Sequence, residues 1–352
     1  MIRSIFFSLV SILLFSACTI KQNVSEIEMI NIPRGTYVFD QDEDSFIAGN
    51  EKQVDSFMLA KYTTQLKLYR EYLKESSPDS KLLDDIFYID DFVFKGNLPL
   101  PDDWPICYVS YYDALNFCNW LSKKEGLDPV YKILKQDEEI ISVEWNQKKN
   151  GYRLPTELEW EYAASSGGFF VSYDELTKYG WVFDNSDFCI HSVGMLCPNQ
   201  FGLYDMFGNI YEWCWDFYMP NNTYDKEDTL HDRVIKGGCY LSKKIYADYR
   251  AGENPLRTRY ITIGFRLARN SDKKNNDPLY GIINQDNVCL RESCNIESSI
   301  IKYFEKDEKV EIIEVISNKE TIEDCILPWL RICANNKQIG YVYGKFIDFC
   351  VK

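Results

Sequence analysis

The sequence predicts an α+β protein in two parts, a large domain poor in regular structure followed by a small all-β barrel. Three observations carry this reading. From Asn199 to Phe217 the chain reads NQFGLYDMFGNIYEWCWDF, in which Phe201, Tyr204, Phe207, Tyr211, Trp213, Trp215 and Phe217 surround Gly202, Gly208 and Asn209. So much aromatic area must be buried, yet neither the helical nor the strand period runs cleanly through it, which predicts a compact, irregular core segment. Two short, sharply capped helices stand upstream, at Ser110 and Thr156. Downstream, residues 270–278 contain no apolar side chain and end at Pro278, the mark of a linker, and short strand-like runs follow.

Composition bounds the rest. The 352 residues suffice for one large domain and one small one, and 45% apolar with 15% aromatic content describes a globular chain with a sizeable core. A net charge of −15 leaves no basic excess to neutralise phosphates, which excludes nucleic acid as the expected partner.

Residues 1–17 have a basic start at Arg3 and an apolar run from Ile5 to Phe15, the pattern of a signal peptide. The ending Leu14-Phe15-Ser16-Ala17-Cys18 resembles a bacterial lipobox, with Cys18 as the lipidated first residue and 18–25 as a tether. The expected location is the bacterial cell envelope, outside the cytoplasm, with the lipid as the membrane anchor. Export means oxidising surroundings, so the twelve cysteines, eleven without Cys18, are candidates for disulfides. Cys189 and Cys197 are placed for a local bridge.

Taken in order, Ile27 to Tyr37 predicts a strand, a turn at Pro33 to Gly35 and a return strand. Tyr62 to Leu73 predicts a helix, and Pro78 to Pro105 is an acidic, proline-punctuated insertion. Ser110 caps the next helix with Asp113 as its reciprocal partner, Ala114, Phe117, Cys118 and Leu121 form its apolar face, and Gly126 ends it. Thr156 and Glu159 make the same box for a helix that Pro155 cannot extend upstream. Glu157 and Glu161 there favour the positive end of the helix dipole rather than acid–base work. Gly237-Gly238 predicts a tight turn into a buried strand, and Ile263 to Ala268 a closing one. Arg266 reads as half of a structural ion pair.

One local pattern carries possible chemistry. Asp205-x-x-Gly208-x-Ile210-x-Glu212 puts two carboxylates and turn carbonyls on one loop, which suits calcium; the alternative is that the carboxylates bond the loop's own amides.

GLYDMFGNIYEWCWD at 202–216, NFCNWLSKKEGL at 116–127 and YRLPTELEWEYA at 152–163 together resemble the formylglycine-generating (sulfatase-modifying factor) domain family, over residues 26–269. The resemblance implies a C-type-lectin-like fold and a structural calcium at Asp205, Gly208, Ile210 and Glu212. It also implies an oxidase that holds Cu(I) on two thiolates in 236–269. The two ligand positions fall on Ser242 and near Ala247, and Cys239 stands where the family has serine. Serine oxygen is a poor ligand for this soft ion, so copper is not expected. The branch that uses three histidines on iron is excluded, since only His191 and His231 occur. Cys239 is left as the sole catalytic candidate, and Arg257 and Arg259 as candidates for a ligand groove.

Beyond the linker, Val288–Arg291, Lys309–Ile316, Trp329–Cys333 and Gly340–Tyr343 read as strands. VCLR, PWLR and IGYV resemble a bacterial SH3-like domain over 279–352. The expected protein is a non-catalytic scaffold for a protein or envelope ligand; the alternative is an oxidoreductase acting on a protein cysteine or related thiol.

Overall fold

Both capping boxes form as the sequence requires. Ser110 Oγ accepts from the Asp113 amide and Asp113 Oδ2 from the Ser110 amide, which starts the longest helix among the described residues; Thr156 and Glu159 do the same 46 positions on. The computed structural model describes residues 27–38, 51–80, 82, 100–136, 139–168, 173–218, 231–243, 245, 249–271, 279–317, 322 and 327–350. The leader, Cys18, the tether, Ala247 and most of the Pro78–Pro105 insertion lie outside these residues.

The elements run β1 (Met29–Ile32), β2 (Gly35–Val38), β3 (Glu51–Val54), β4 (Phe57–Ala60), α1 (Leu66–Ser76), α2 (Tyr111–Lys124), β5 (Tyr131–Gln136) and β6 (Glu139–Trp145). There follow α3 (Glu157–Ala164), β7 (Gly180–Trp181), β8 (Phe207–Gly208), β9 (Tyr211–Phe217), β10 (Arg233–Lys236), β11 (Arg250–Glu253), β12 (Ile263–Phe265) and β13 (Ala268–Asn270). The described C-terminal part holds the strands β14 (Leu279–Ile283), β15 (Val288–Arg291), β16 (Ile300–Phe304), β17 (Lys309–Ile316), β18 (Trp329–Cys333), β19 (Ile339–Tyr343) and β20 (Ile347–Phe349), with one 3-10 turn at Gly344–Phe346.

The aromatic segment departs from expectation in its second half. Tyr211 to Phe217 is regular strand, a central member of the sheet β11-β10-β9-β12. Its period is in the sequence: Tyr211, Trp213 and Trp215 alternate and pack toward α1 and α2, where Tyr69 stacks on Phe117 at 5.3 Å. Cys214, one step out of phase, lies in the other half of the core. The first half is irregular as expected, with Asp205, Gly208 and Asn209 all at positive φ.

Other boundaries shift too. The Tyr62 helix begins only at Leu66, because the backbone from Lys61 to Thr64 bonds to neighbouring segments instead. The strand predicted after Gly237-Gly238 precedes that pair as β10, and both glycines adopt the left-handed region. The closing strand splits into β12, parallel to β9, and β13, antiparallel to β4.

β1 and β2 are not a hairpin. β1 pairs with β4, whereas β2 turns away, pairs with β3, and adds a parallel strand to β17 of the C-terminal part. That part is an open strand path, β16-β15-β19-β18-β17-β14-β20, extended by β2 and β3 to nine strands, and not the closed barrel that was expected. Body and tail therefore share one core, in which Tyr37, Tyr162 and Phe201 pack with Val315, Ile347 and Phe349. Tyr162 OH donates to the Pro33 carbonyl, and Ser317 Oγ to the Thr36 carbonyl at 2.6 Å. The tail thus packs directly against the body through β2, Tyr37, Tyr162 and Phe201.

None of the ten described cysteines is in a disulfide. Cys189 is buried and Cys197 exposed, and no disulfide joins them; none holds Cys289, Cys294, Cys333 or Cys350 of the tail.

Candidate functional site

The loop from Asn199 folds around Asn199 itself, whose side-chain oxygen accepts from the Phe201 and Leu203 amides. This delivers Asp205 and then β9 into the centre of the body. Glu212, essentially inaccessible, is met from every side. Thr63 Oγ1 donates to it at 2.7 Å, Trp160 Nε1 at 2.8 Å and Arg266 Nη2 at 2.9 Å. Arg266 is equally buried and also donates to the carbonyls of Ala60, Lys61 and Tyr204. This is the ion pair anticipated for Arg266, and it ties β4, β9, β12 and the aromatic loop together.

The pairing alters the calcium expectation. Both oxygens of Glu212 accept from Thr63, Trp160 and Arg266, so in this arrangement an ion on Glu212 would compete with those donors. Gly208 is required by packing, since a Cβ there would lie 2.0 Å from the Trp181 carbonyl oxygen, and Ile210 is buried in the apolar core. Asp205 keeps an open group. Its Oδ2 accepts from the Gly194 amide at 2.7 Å, while Oδ1 is buried without a partner.

Burial, with a smaller push from Glu212, raises the Asp205 carboxyl to about 6, against the pull of the Gly194 amide and Arg266. The folded protein thus holds this proton more tightly than the unfolded chain does. The stability it contributes is complete below about pH 4, the unfolded value, and is lost as pH rises through about 6. In EDTA, an Asp205→Asn variant should show a flatter decline of unfolding free energy over that window. A calcium ion on Asp205 would instead hold the carboxylate ionised and abolish the wild-type decline, which urea titrations with and without calcium will detect.

The helix glutamates are structural, as expected, but through partners the sequence did not show. Glu157 accepts from Arg250 at 2.8 and 2.9 Å, Glu161 from Lys236 at 2.6 Å, and Glu159 from Arg153 at 2.6 and 2.7 Å. Their partners come from distant segments, so no local spacing could reveal them.

Cys239 lies just after the Gly-Gly turn, buried at the floor of a shallow face. Ser242 Oγ accepts from the Cys239 amide at 3.0 Å and donates toward its sulfur at 3.7 Å. Burial pushes the Cys239 thiol up, outweighing the nearby Leu241 and Ser242 donors, so it stays protonated near neutral pH. Cys214, the cysteine of β9, packs in the core half shared with the tail, and Cys239 in the half beneath the helices.

Around this floor the surface is apolar. Phe188, Leu241 and Tyr249 are 41%, 46% and 42% exposed. Phe183 links them, with its ring 5.0 Å from Phe188, its amide bonded to the Ser242 carbonyl and Lys243 over its face. Tyr211 reaches Ser242 Oγ at 3.5 Å and also interacts with Tyr249. Asp187 and Phe188 are both non-glycine residues at positive φ, a strained pair that displays the Phe188 ring. Arg259 is engaged by Asp113 of the capping box, and Arg257 is exposed. The sequence signal for the apolar face was weak, because isolated hydrophobics in loops are ordinary.

A mostly β body with few helices, two of them begun by capping boxes, a buried Arg–Glu pair and this Gly-Gly turn define the class. The chain belongs to the sulfatase-modifying factor enzyme 1-like domain family, whose model matches residues 16–271.

Among its relatives, the chaperone protein LppX of Paenibacillus barcinonensis is 34% identical over 185 residues, 42% of this chain and 61% of that protein. A protein named serine/threonine-protein kinase pkn1 of Chlamydia pneumoniae is 38% identical over 181 residues, 47% of this chain but only 24% of its own length. The formylglycine-generating enzyme of Bos taurus is 25% identical over 284 residues, 68% of this chain and 74% of that enzyme. The chain thus spans less than two thirds of the first two. Treponema denticola variable protein 1 shares the fold, with a TM-score of 0.55 at 24% identity, over 69% of this chain and 95% of that one.

Proposed function

We propose that the protein is a non-catalytic member of this family, which binds a protein or envelope ligand on the apolar face around Phe188, Leu241 and Tyr249. The observation that carries the reading is the state of Cys239. It is a buried thiol, pushed up by burial, beside the hydroxyl of Ser242, which stands at the first of the two positions where the family's oxidases carry a thiolate. Hard hydroxyl oxygen does not hold Cu(I), so the described residues do not fit the copper of the family's oxidases. An exposed aromatic and aliphatic patch with one lysine beside it suits an apolar segment of a partner protein.

The anchor belongs to the same proposal. Lipidation at Cys18 places the binding face on an envelope membrane, outside the cytoplasm. The relatives' names pull in two directions, one toward a chaperone and one toward an enzyme, and the Cys239 surroundings favour the first.

Oxygen uptake with Cu(I) and a cysteine-containing peptide tests this reading. The expected rate equals that of peptide and Cu(I) without protein. Sustained uptake that disappears on Cys239→Ser would establish the oxidoreductase instead.

A further inference from the structure

The hairpin β5–β6 and the turn that follows it line an open cleft of about 640 Å³, none of whose residues belongs to the Cys239 face. This size is within the range of small-ligand sites. Its wall is rigid. The Asn146 amide bonds to the Val130 carbonyl, Asn270 Nδ2 to the Gln147 and Lys149 carbonyls, and Arg269 Nε to the Asn150 carbonyl. The turn is therefore fixed from the body side, and its side chains are left outside.

The side chains in the wall are mainly donors. Lys132, Lys148 and Lys149 line the cleft against one carboxylate, Glu144, in a chain whose net charge is −15. Lys132 is paired with Glu144 at 3.2 Å, and Lys149 Nζ donates to the Pro129 carbonyl at 2.9 Å. The side chains of Lys148 and Gln147 are exposed and have no partner among the described residues. Trp145 forms the apolar part of the wall, and its buried Nε1 donor lacks an acceptor. Trp145 is itself held by Trp215, 5.2 Å away edge to face, and by Arg153 over its ring at 5.3 Å.

A fixed indole beside several lysine donors matches an anion with many acceptor oxygens joined to an apolar group. Lysine ammoniums act as point charges and need no planar, bidentate partner. We propose that this cleft binds a small ligand bearing a phosphate or sulfate ester next to an apolar ring or chain. Neither the metal chemistry nor the apolar face discussed above takes part, so the two readings stand or fall separately.

Calorimetric titration of the full chain with phenyl phosphate tests it. The expected result is saturable one-to-one binding with Kd on the order of 1 mM, as suits so small a probe. Phenol and inorganic phosphate, each carrying half of the recognised chemistry, should bind at least threefold more weakly. Lys148→Glu should weaken phenyl phosphate at least fivefold. Lys123→Glu, the same charge change at an exposed site on α2, should leave it unchanged. Phosphatidylglycerol vesicles that displace the probe would assign the ester to a lipid headgroup, and vesicles that do not would assign it to a soluble ligand. No saturable binding, or equal weakening in both variants, would overturn the proposal.

Discussion

A Glu212→Gln variant is expected to lose about 3–5 kcal/mol of stability in urea unfolding, the cost of leaving one partner of a buried ion pair without the other. Arg266 is wholly inaccessible and keeps its bonds to the Ala60, Lys61 and Tyr204 carbonyls, so its charge cannot relax into solvent. Glutamine retains an acceptor for Trp160 or Thr63 but no charge. Against a typical total of about 5–15 kcal/mol the loss is large, and an unchanged urea midpoint would show that Glu212 is not the counter-charge. The prediction also separates two roles for this carboxylate. A structural pair is needed whether or not calcium is present, whereas a calcium ligand would be costly to remove only in the presence of the ion.

The second large effect is expected at the seam between body and tail. Deleting the residues after 271 should prevent stable folding of the body. It would strip β17 from β2 and expose Tyr37, Tyr162 and Phe201, which pack with Val315, Ile347 and Phe349. A milder variant tests the same contact. A Cβ at Gly35 would lie 2.1 Å from the Val315 carbonyl oxygen and 2.4 Å from Tyr162 OH, so Gly35→Ala must push the two strands apart. Overpacking of this kind typically costs about 1–3 kcal/mol. Calorimetry of the unaltered chain should give one cooperative transition. Two separable transitions, with Gly35→Ala moving neither, would mean that the tail is an independent module.

The helix starts were legible because a capping box is local: Ser110 with Asp113, and Thr156 with Glu159, need only three residues of spacing. Four of the seven described tail strands, β15, β17, β18 and β19, were legible for the same reason, as runs bounded by turn residues. What the sequence concealed was mostly non-local. Glu157 and Arg250 are 93 positions apart, and Glu161 and Lys236 are 75 apart. The union of β2 with β17 joins residues that read as the opening of one domain and the middle of another. One miss was avoidable, because Tyr211, Trp213 and Trp215 alternate plainly; the bulk of the aromatic rings on both sides of Gly208 obscured the period. At the site itself, the absence of a cysteine at position 242 was readable, but the burial that keeps Cys239 protonated was not.

Competition titration of Cu(I) against a calibrated chelator, on the soluble form with Cys18 replaced and on its Cys239→Ser variant, tests the central claim most directly. A non-catalytic member predicts no tight one-to-one copper binding in either form. Tight stoichiometric binding lost on Cys239→Ser would contradict the account and make this chain an oxidase with a metal site of its own design.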